Sequence, residues 1–398
     1  MNNQILKLYT ISQKNNRLIL GLMSGTSLDG LDIALCKIKN TGIDTQLELI
    51  QFETIDYEDD FRKNVRKIFA KRQIDQQELC GINAYIGQVH AELINKALEK
   101  WNMAPSEIDL IASHGQTVYH APQILTKDYS LPNSTLQIGD ADHIAVKTGI
   151  ITISDFRQKH IAAGGEGAPL AAYGDYLLFT DQTENRILLN IGGISNFTFL
   201  PHGASELKAF ATDLGPGNTI MNHYMKKHFN VEMDRDALIA SKGEVNYELL
   251  TALMKEEFLT LEFPKTTGPE LFNLAYLEEL QLSTNTGNLS KEDVMATLNA
   301  FSARAIIDGI LKVSEGLDNV AVYVSGGGLH NPLLLQNIKN GLPQYKVTSI
   351  DDIAMNPDAK EACLFAVLAN ETIAGSPDNV KNIKDSPAIC MGKISLPY

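Results

Sequence analysis

Four cysteines in 398 residues, Cys36, Cys80, Cys363 and Cys390, stand far apart and form no C-x-x-C pair. That argues against both a zinc knuckle and a disulfide framework. No G-x-x-x-x-G-K-S/T occurs and no G-x-G-x-x-G precedes a helix, so the chain has neither a Walker A loop nor a dinucleotide fingerprint. Apolar runs fall short of the ~18 residues of a membrane span. The first twenty residues are polar and lack a signal-peptide core, which gives the expectation of a cytoplasmic protein with no membrane partner. Positive charge is also short. Lys and Arg number 34 against 48 Asp and Glu, and the formal charge of −14 repels nucleic acid and anionic surfaces. Any phosphate-bearing ligand must then be held by backbone dipoles, by individual Lys or Arg residues, or by a metal.

Apolar side chains are plentiful at 44% of residues, and so is glycine, with 29; packed cores and many tight turns follow. The length exceeds one typical domain, so two are expected. The most informative stretch is residues 21–32, GLMSGTSLDGLD, set between the apolar residues 18–20 and 33–35. A strand, a small-residue turn and a second strand make a β-hairpin, with Gly25 and Gly30 free to adopt positive φ. Ser24, Thr26 and Ser27 supply hydroxyls at its tip and Asp29 a carboxylate. The tip reads either as an ordinary tight turn or as a loop closing around a phosphate chain, with Asp29 holding magnesium or its waters.

Residues 47–54 read as a third strand, and residues 58–70 and 76–101 have the apolar spacing of helices. Short strands follow at 108–112, 135–138 and 150–153, then a glycine-rich loop from Gly164 that opens a helix through residue 179. At residue 187 the opening pattern returns: strand 187–191, turn Gly192-Gly193, strands 195–200 and 209–214, then Gly215-Pro216-Gly217-Asn218 and a helix. Residues 293–314 form the longest later helix; a strand at 320–324 and helices at 332–339 and 358–374 follow, while the polar loop 283–290 reads as a surface excursion. Two strand–turn–strand units thus open two halves. Topology repeats without repetition of sequence, which predicts a duplicated α/β architecture with a cleft between the halves.

Six polar, glycine-bearing clusters are expected directly after apolar strands: the first hairpin, SHGQT at 113–117, Gly139-Asp140, SDFR at 154–157, DLGPGN at 213–218 and SGGG at 325–328. In α/β sheets ligands bind at the carboxyl ends of strands. Asp213 ends a strand, and the helix after it offers N–H groups to an anion. A carboxylate there can deprotonate a nucleophile, or simply fix the turn. Arg157 can fork onto a carboxylate or phosphate, or pair with Asp155. His114, His120, Asp140, Asp142 and His143 invite a metal reading, but their spacings match no usual zinc pattern. A neutral His114 hydrogen-bonding near a sugar fits better. Glu361 opens a helix, where the dipole favours a carboxylate. Gly326 to Gly328 with Asn331 make either an approach site for a flat ligand such as adenine or a tight strand-to-helix turn.

In order, GLMSGTSLDGLD, SHGQTVYH, LQIGDADHIA, SDFR with GGEGAPL, LNIGGISNF, DLGPGN, SGGGLHNPLL and DAKEA resemble the motif series of the anhydro-N-acetylmuramic acid kinases over residues 21–369. The resemblance implies the acetate kinase, hexokinase, Hsp70 and actin superfamily: an α/β protein of two duplicated RNase H-like domains, the actin-like ATPase fold, flanking a nucleotide and substrate cleft. The boundaries expected are 1–155 with 380–398 for the first domain and 156–379 for the second. Also implied are ATP and Mg²⁺ as cofactors, an amino-sugar substrate and a cytoplasmic homodimer. In the implied reaction water opens 1,6-anhydro-N-acetylmuramic acid at C1 while O6 takes the γ-phosphoryl of ATP. The product is N-acetylmuramic acid 6-phosphate, in cell-wall recycling. A simple sugar or carboxylate kinase of the same superfamily is the alternative; the intact SDFR, GGEGAPL and KEA segments count against a non-catalytic nucleotide switch.

Carried over residue by residue, Gly21, Ser24, Gly25, Thr26, Ser27 and Asp29 form the first phosphate hairpin, with Asp29 reaching the metal through water. Gly192 and Gly193 form the second hairpin, Gly215, Gly217 and Asn218 line the nucleotide, and Gly326, Gly327, Gly328 and Asn331 border the adenosine. Asp213 is the base on the attacking water, and Glu361 orients the reactive end of the sugar. His114, Gln116, Asp155 and Arg157 line the sugar pocket. Two positions depart from the family pattern. Leu214 replaces the more common Thr, removing a hydroxyl expected near the phosphates, and Met355-Asn356-Pro357 replaces a Gly-containing segment.

Overall fold

The hairpin at the head of the chain forms as β1 (Asn16–Ser24) and β2 (Gly30–Lys39), antiparallel, with β3 (Gln46–Asp56) antiparallel to β2. On the other side of β1 lies β4 (Leu110–Ala121), parallel to it, with β5 (Ser134–Ile138) antiparallel to β4 and β6 (Thr152–Ser154) parallel to β4. The C-terminal strand Lys393–Ser395 closes this sheet beside β6. The structure, a computed structural model, describes residues 2–168, 170–353 and 356–398.

Both faces of the sheet are covered, which is why β1 and β2 read as continuous apolar runs rather than as alternating ones. Leu20, Leu22, Ile33 and Leu35 pack into a core shared with Ile86 and Ile94 of the helix Gln76–Lys100. The opposite face, with Gly21 and Cys36, meets Ala362 and Cys363 of the helix Lys360–Ala374.

A second sheet repeats the plan. β7 (Asn185–Ile191), β8 (Ile194–Leu200) and β9 (Phe210–Pro216) form an antiparallel meander. β10 (Val320–Ser325) is parallel to β7, and β11 (Lys346–Ser349) is parallel to β10. The order β3-β2-β1-β4-β6 therefore recurs as β9-β8-β7-β10-β11 with the same strand senses. The duplicated α/β plan expected from the sequence is present. Helix Lys291–Val313 is long and apolar enough to cross a membrane by composition, but Val294, Phe301 and Ile306 are buried in this unit's own core.

The two compact units are residues 1–179 with 355–398, and residues 180–354. Residues 156–179 and the helix Lys360–Ala374 thus lie in the first unit, not in the second where the sequence boundaries put them. The reason is packing: Lys360–Ala374 lies on β1, β2 and β4, and Ala171–Phe179 packs on that helix. Two further differences bear on the site. SHGQT is not a turn after a strand but lies inside β4, whose Gln116 and Thr117 pair with β5. SDFR leads into a helix the apolar spacing did not mark, Phe156–Ala162. Pro169 of GGEGAPL and Met355 of the departing segment lie outside the described residues.

Candidate active site

In the first unit the tip of the β1–β2 hairpin exposes Thr26, Ser27 and Asp29. The residue with positive φ is Leu28 at 59°, not Gly25 or Gly30, and its side chain is buried in the core. Arg62 fastens the turn from outside, donating to Leu28 O at 2.9 Å and Asp29 O at 3.1 Å. The Ser27 hydroxyl donates to Asp29 Oδ1 and holds that carboxyl below its ordinary range, so Asp29 is ionised and exposed. Gly21 and Ser24 stand elsewhere than expected. Gly21 lies within β1, where a Cβ would come 1.9 Å from Ala362 O, so its bareness admits the helix. Ser24 points inward and donates to Gln116 Oε1 at 2.6 Å, while the Tyr57 hydroxyl donates to Ser24 Oγ at 2.8 Å. Gln116 is fully buried and donates to Gly25 O at 3.3 Å. Ser24 and Gln116 brace the hairpin from beneath.

Of the residues expected to line the sugar pocket, His114, inside β4, and Asp155, directly after β6, meet at one cavity and Arg157 lies against His114, whereas Gln116 does not join them. A cavity of about 290 Å³ is lined by His114, Gln137, Asp155 and Lys393, among others. Burial and the Arg157 guanidinium push His114 down to about 3, so its ring is neutral. Nε2 lies 3.1 and 3.3 Å from the Arg157 guanidinium nitrogens and 2.7 Å from the Gln137 side-chain amide. Asp155 takes a left-handed backbone, φ 52°, and pairs with Lys393 Nζ at 2.5 Å. It does not pair with Arg157, which instead donates to Gly167 O at 3.0 Å.

Glu361 stands in the first turn of Lys360–Ala374. Partial desolvation and Asp32 raise its pKa, against Arg157 and Lys360, which lower it. Asp32, on β2 and accepting from Thr54 Oγ1 at 2.6 Å, is itself raised by burial. Asp32 and Lys393 were both missed in the sequence. Asp32 was legible as the last carboxylate of GLMSGTSLDGLD, whereas nothing in the C-terminal residues marks Lys393.

In the second unit three glycine turns meet. Gly217, Asn218 and Thr219 N–H groups donate to the Gly192 and Gly193 carbonyls at 2.8–3.0 Å, tying the DLGPGN turn to the β7–β8 turn. Gly326 needs to be glycine twice over: φ is 83°, and a Cβ would lie 2.5 Å from Asn190 Oδ1. Asn331 caps the helix Pro332–Gly341, accepting from Leu334 N at 3.0 Å. Asn218, Gly327 and Asn331 border a cavity of about 430 Å³ whose other walls include Met221, Met233 and Arg235. Asn222, Asp234, Asp236 and His330 make the rest of the lining polar, so the cavity offers two thioethers for a flat ring and many hydrogen-bonding groups around them.

Asp213 does not end its strand as expected: it lies inside β9, which stays paired with β8 through Gly215 and Pro216 before the chain turns at Gly217. Burial raises its pKa, and nearby Glu270 adds to this, while the Thr267 N–H, donating to Oδ2 at 2.9 Å, opposes it. Such a carboxylate is a stronger base than an exposed one. Leu214 points the other way, 1% exposed among Phe197, Ile306 and Ile310. The hydroxyl thought lost from the phosphates at this position therefore has no place there: position 214 faces the core. No group of three or more His, Cys, Asp or Glu that could hold a metal occurs among the described residues. Mg²⁺, which commonly takes one carboxylate plus phosphate oxygens and waters, does not require one.

A family model described as anhydro-N-acetylmuramic acid kinase matches residues 17–394. Curated proteins called anhydro-N-acetylmuramic acid kinase match along their whole length. The protein of Pseudoalteromonas atlantica is 54% identical, covering 100% of each chain. That of Caldanaerobacter subterraneus is 41% identical over 98% of this chain and 100% of its own. Among solved structures, an activator of 2-hydroxyisocaproyl-CoA dehydratase from Clostridium difficile with bound ADPNP covers 92% of this chain and 99% of its own, at 15% identity and a TM-score of 0.37.

Proposed function

The chain belongs to the anhydro-N-acetylmuramic acid kinase family, and on that premise we propose that it opens the 1,6-anhydro ring of 1,6-anhydro-N-acetylmuramic acid and phosphorylates O6 from ATP. The product is N-acetylmuramic acid 6-phosphate, formed in the cytoplasm during recycling of cell-wall sugar by an enzyme acting as a homodimer. The observation that carries the reading is Asp213: a desolvated carboxylate inside β9, aimed by one backbone N–H, on the strand that runs on into Gly217 and Asn218.

Asp213 takes a proton from water as the water oxygen bonds to C1. The C1–O6 bond breaks, and O6 bonds to the γ-phosphorus as the bond to ADP breaks. Water attacks the face opposite the bridge, as in inverting glycosidases. Beyond one base the protein's task is positioning, as in phosphoryl transfer generally. The exposed hydroxyls and N–H groups of Gly25 to Ser27 and the Gly192-Gly193 turn hold phosphates, and the cavity beside Gly327 and Asn331 takes the adenosine. Asp29 would hold Mg²⁺ through water, and the ion supplies positive charge to the phosphates. His114 and Arg157 with Asp155 bind the sugar, and Glu361 orients its reactive end. Neutral His114 can hydrogen-bond a hydroxyl without adding charge.

Turnover in ¹⁸O-water tests the reaction. The label should enter the anomeric carbon of N-acetylmuramic acid 6-phosphate, initially as the α anomer in early-quenched samples, and the phosphate ester should stay unlabelled. Label in the phosphate, or equal activity on ordinary N-acetylmuramic acid, would indicate a simple sugar kinase instead.

A further inference from the structure

Lys265 is a buried cation that the reaction above does not use. It is 9% exposed, and no carboxylate pairs with it among the described residues. Its ammonium donates to Phe258 O at 2.7 Å and Leu259 O at 2.9 Å, the carbonyls of the short helix Glu257–Thr260. It lies 4.5 Å from the centre of the Phe258 ring and 5.4 Å from that of Phe263. Burial and Lys312 bring its pKa down to about 8, with Glu262 opposing them. Burying an ammonium without a carboxylate in contact costs stability, and an apolar side chain would fill the space at less cost. Packing alone does not account for it.

The backbone around Lys265 grips β9. Its N–H donates to Thr212 Oγ1 at 2.9 Å, and its carbonyl accepts from Thr212 Oγ1 at 3.1 Å and from Asp213 N at 2.9 Å. Two residues on, the Thr267 N–H donates to Asp213 Oδ2 at 2.9 Å. β9 is the edge strand of its sheet, so this segment supplies the pairing that an edge otherwise lacks. Asp213 is thereby held at its main chain and at one carboxylate oxygen, and Oδ1 carries no hydrogen bond among the described residues. The carboxylate of Glu270 acts on it as a like charge.

We infer that Lys265 is a positioning residue for the Asp213 carboxylate: its ammonium fastens segment 264–267 to the Phe258 and Leu259 carbonyls, and that segment turns Asp213 so that Oδ1 faces the reacting water. The inference rests on the reading of Asp213 as the base. It adds a residue that touches neither sugar nor nucleotide and acts through the carboxylate it aims.

Steady-state kinetics with ATP and the anhydro sugar, across pH, test this. Lys265→Met should lower kcat between about tenfold and a hundredfold, the scale of a base displaced by an ångström, and leave the KM for ATP unchanged. Loosening the Thr267 N–H removes what holds the Asp213 pKa down. The base must be ionised to act, so the acid limb of the kcat profile should move to higher pH, by about one unit. In an Asp213→Asn background, Lys265→Met should cost nothing more, whereas a residue that merely supports the fold would cost the same in both. Should Lys265→Met fail to fold, Thr212→Val removes the hydroxyl joining β9 to the segment and carries the same expectations. Wild-type kcat with an unmoved acid limb in a folded variant overturns the inference, as does an equal loss in both backgrounds. If Asp213→Asn is inactive while Lys265→Met and Thr212→Val behave as wild type, the positioning role alone falls. If Asp213→Asn turns over near the wild-type rate, the base reading falls and the inference with it.

Discussion

Three neighbours on β9 divide the labour. The Thr212 hydroxyl ties the strand to Lys265, Leu214, at an irregularity in the pairing with β8, fills the core, and the Asp213 carboxylate accepts from Thr267 and is the base proposed above. Leu214 has room because its neighbour in helix Lys291–Val313 is Gly309, where a Cβ would come 2.2 Å from Leu214 Cδ2. The two positions form one packing unit. Leu214→Thr should therefore destabilise the protein by about 2 kcal/mol or more, through lost volume and a buried hydroxyl. Gly309→Ala alone should also destabilise, by overpacking, in spite of alanine's better helix propensity. Together they should lose less than the sum of the two, and the KM for ATP should not change. Urea denaturation of the four proteins gives the coupling directly; additive losses would mean that the side chains do not share this space. The carboxylates Asp29, Asp213 and Glu361 were legible because each stands in a run of small or polar residues. Lys265 was not, because its neighbours in sequence, Pro264 and Thr266, say nothing of the Phe258 and Phe263 rings that enclose it.

At the scale of elements, the first hairpin is a braced loop. Beneath it run hydrogen bonds from the Tyr57 hydroxyl to Ser24, from Ser24 to Gln116 and from Gln116 to the Gly25 carbonyl, while His90 Nε2 lies 2.9 Å from the Tyr57 oxygen. Burial keeps His90 neutral, down to about 3. Above this brace a Cβ at Gly25 would meet Ser27 alone among the described residues, its Oγ at 3.3 Å and its N at 4.0 Å, so space for a larger side chain exists on the protein's side. Gly25→Val should then fold with near-normal stability and raise the KM for ATP severalfold, because its methyl groups would take the place of the phosphate oxygens proposed to lie there. Unchanged ATP kinetics in a well-folded variant would reduce this loop to a turn. The hairpin was readable because two apolar strands flank a short polar turn. β4 was not read to its full length: its second half, with Gln116 and His120, is polar by composition and is held as a strand by its pairing with β5. Helix Phe156–Ala162 escaped for the opposite reason, being too short for a helical period to stand out.

At the scale of the molecule, two sheets share one order but differ in how the chain completes them. Residues 180–354 are continuous and hold all five strands of the second sheet, two apolar cores and the cavity beside Gly327 and Asn331. The first unit is discontinuous. Its sheet is covered on one face by helix Lys360–Ala374, whose Ala362, Cys363, Ala366, Val367 and Ala369 are fully buried, and it is closed at one edge by Lys393–Ser395. The sequence showed the repeat of strands but not this return, because a helix pattern carries no sign of which sheet it covers. The two halves should therefore behave differently when separated. A fragment of residues 180–354 should melt cooperatively, and ADP should raise its midpoint; ligand at 100 times its Kd adds about 2.7 kcal/mol. A fragment of residues 1–179 leaves Ile19, Ala34 and Cys36 bare where the helix should lie, since Gly21 offers no side chain to fill the gap. It should bind a hydrophobic dye and lack a cooperative melt, and a peptide of residues 356–398 added in trans should restore one. A cooperative, dye-free melt of 1–179 alone would show that the sheet does not depend on the returning helix. Failure of 180–354 to bind ADP, in a fragment that melts cooperatively, would mean that the cavity beside Gly327 is not sufficient to hold the nucleotide.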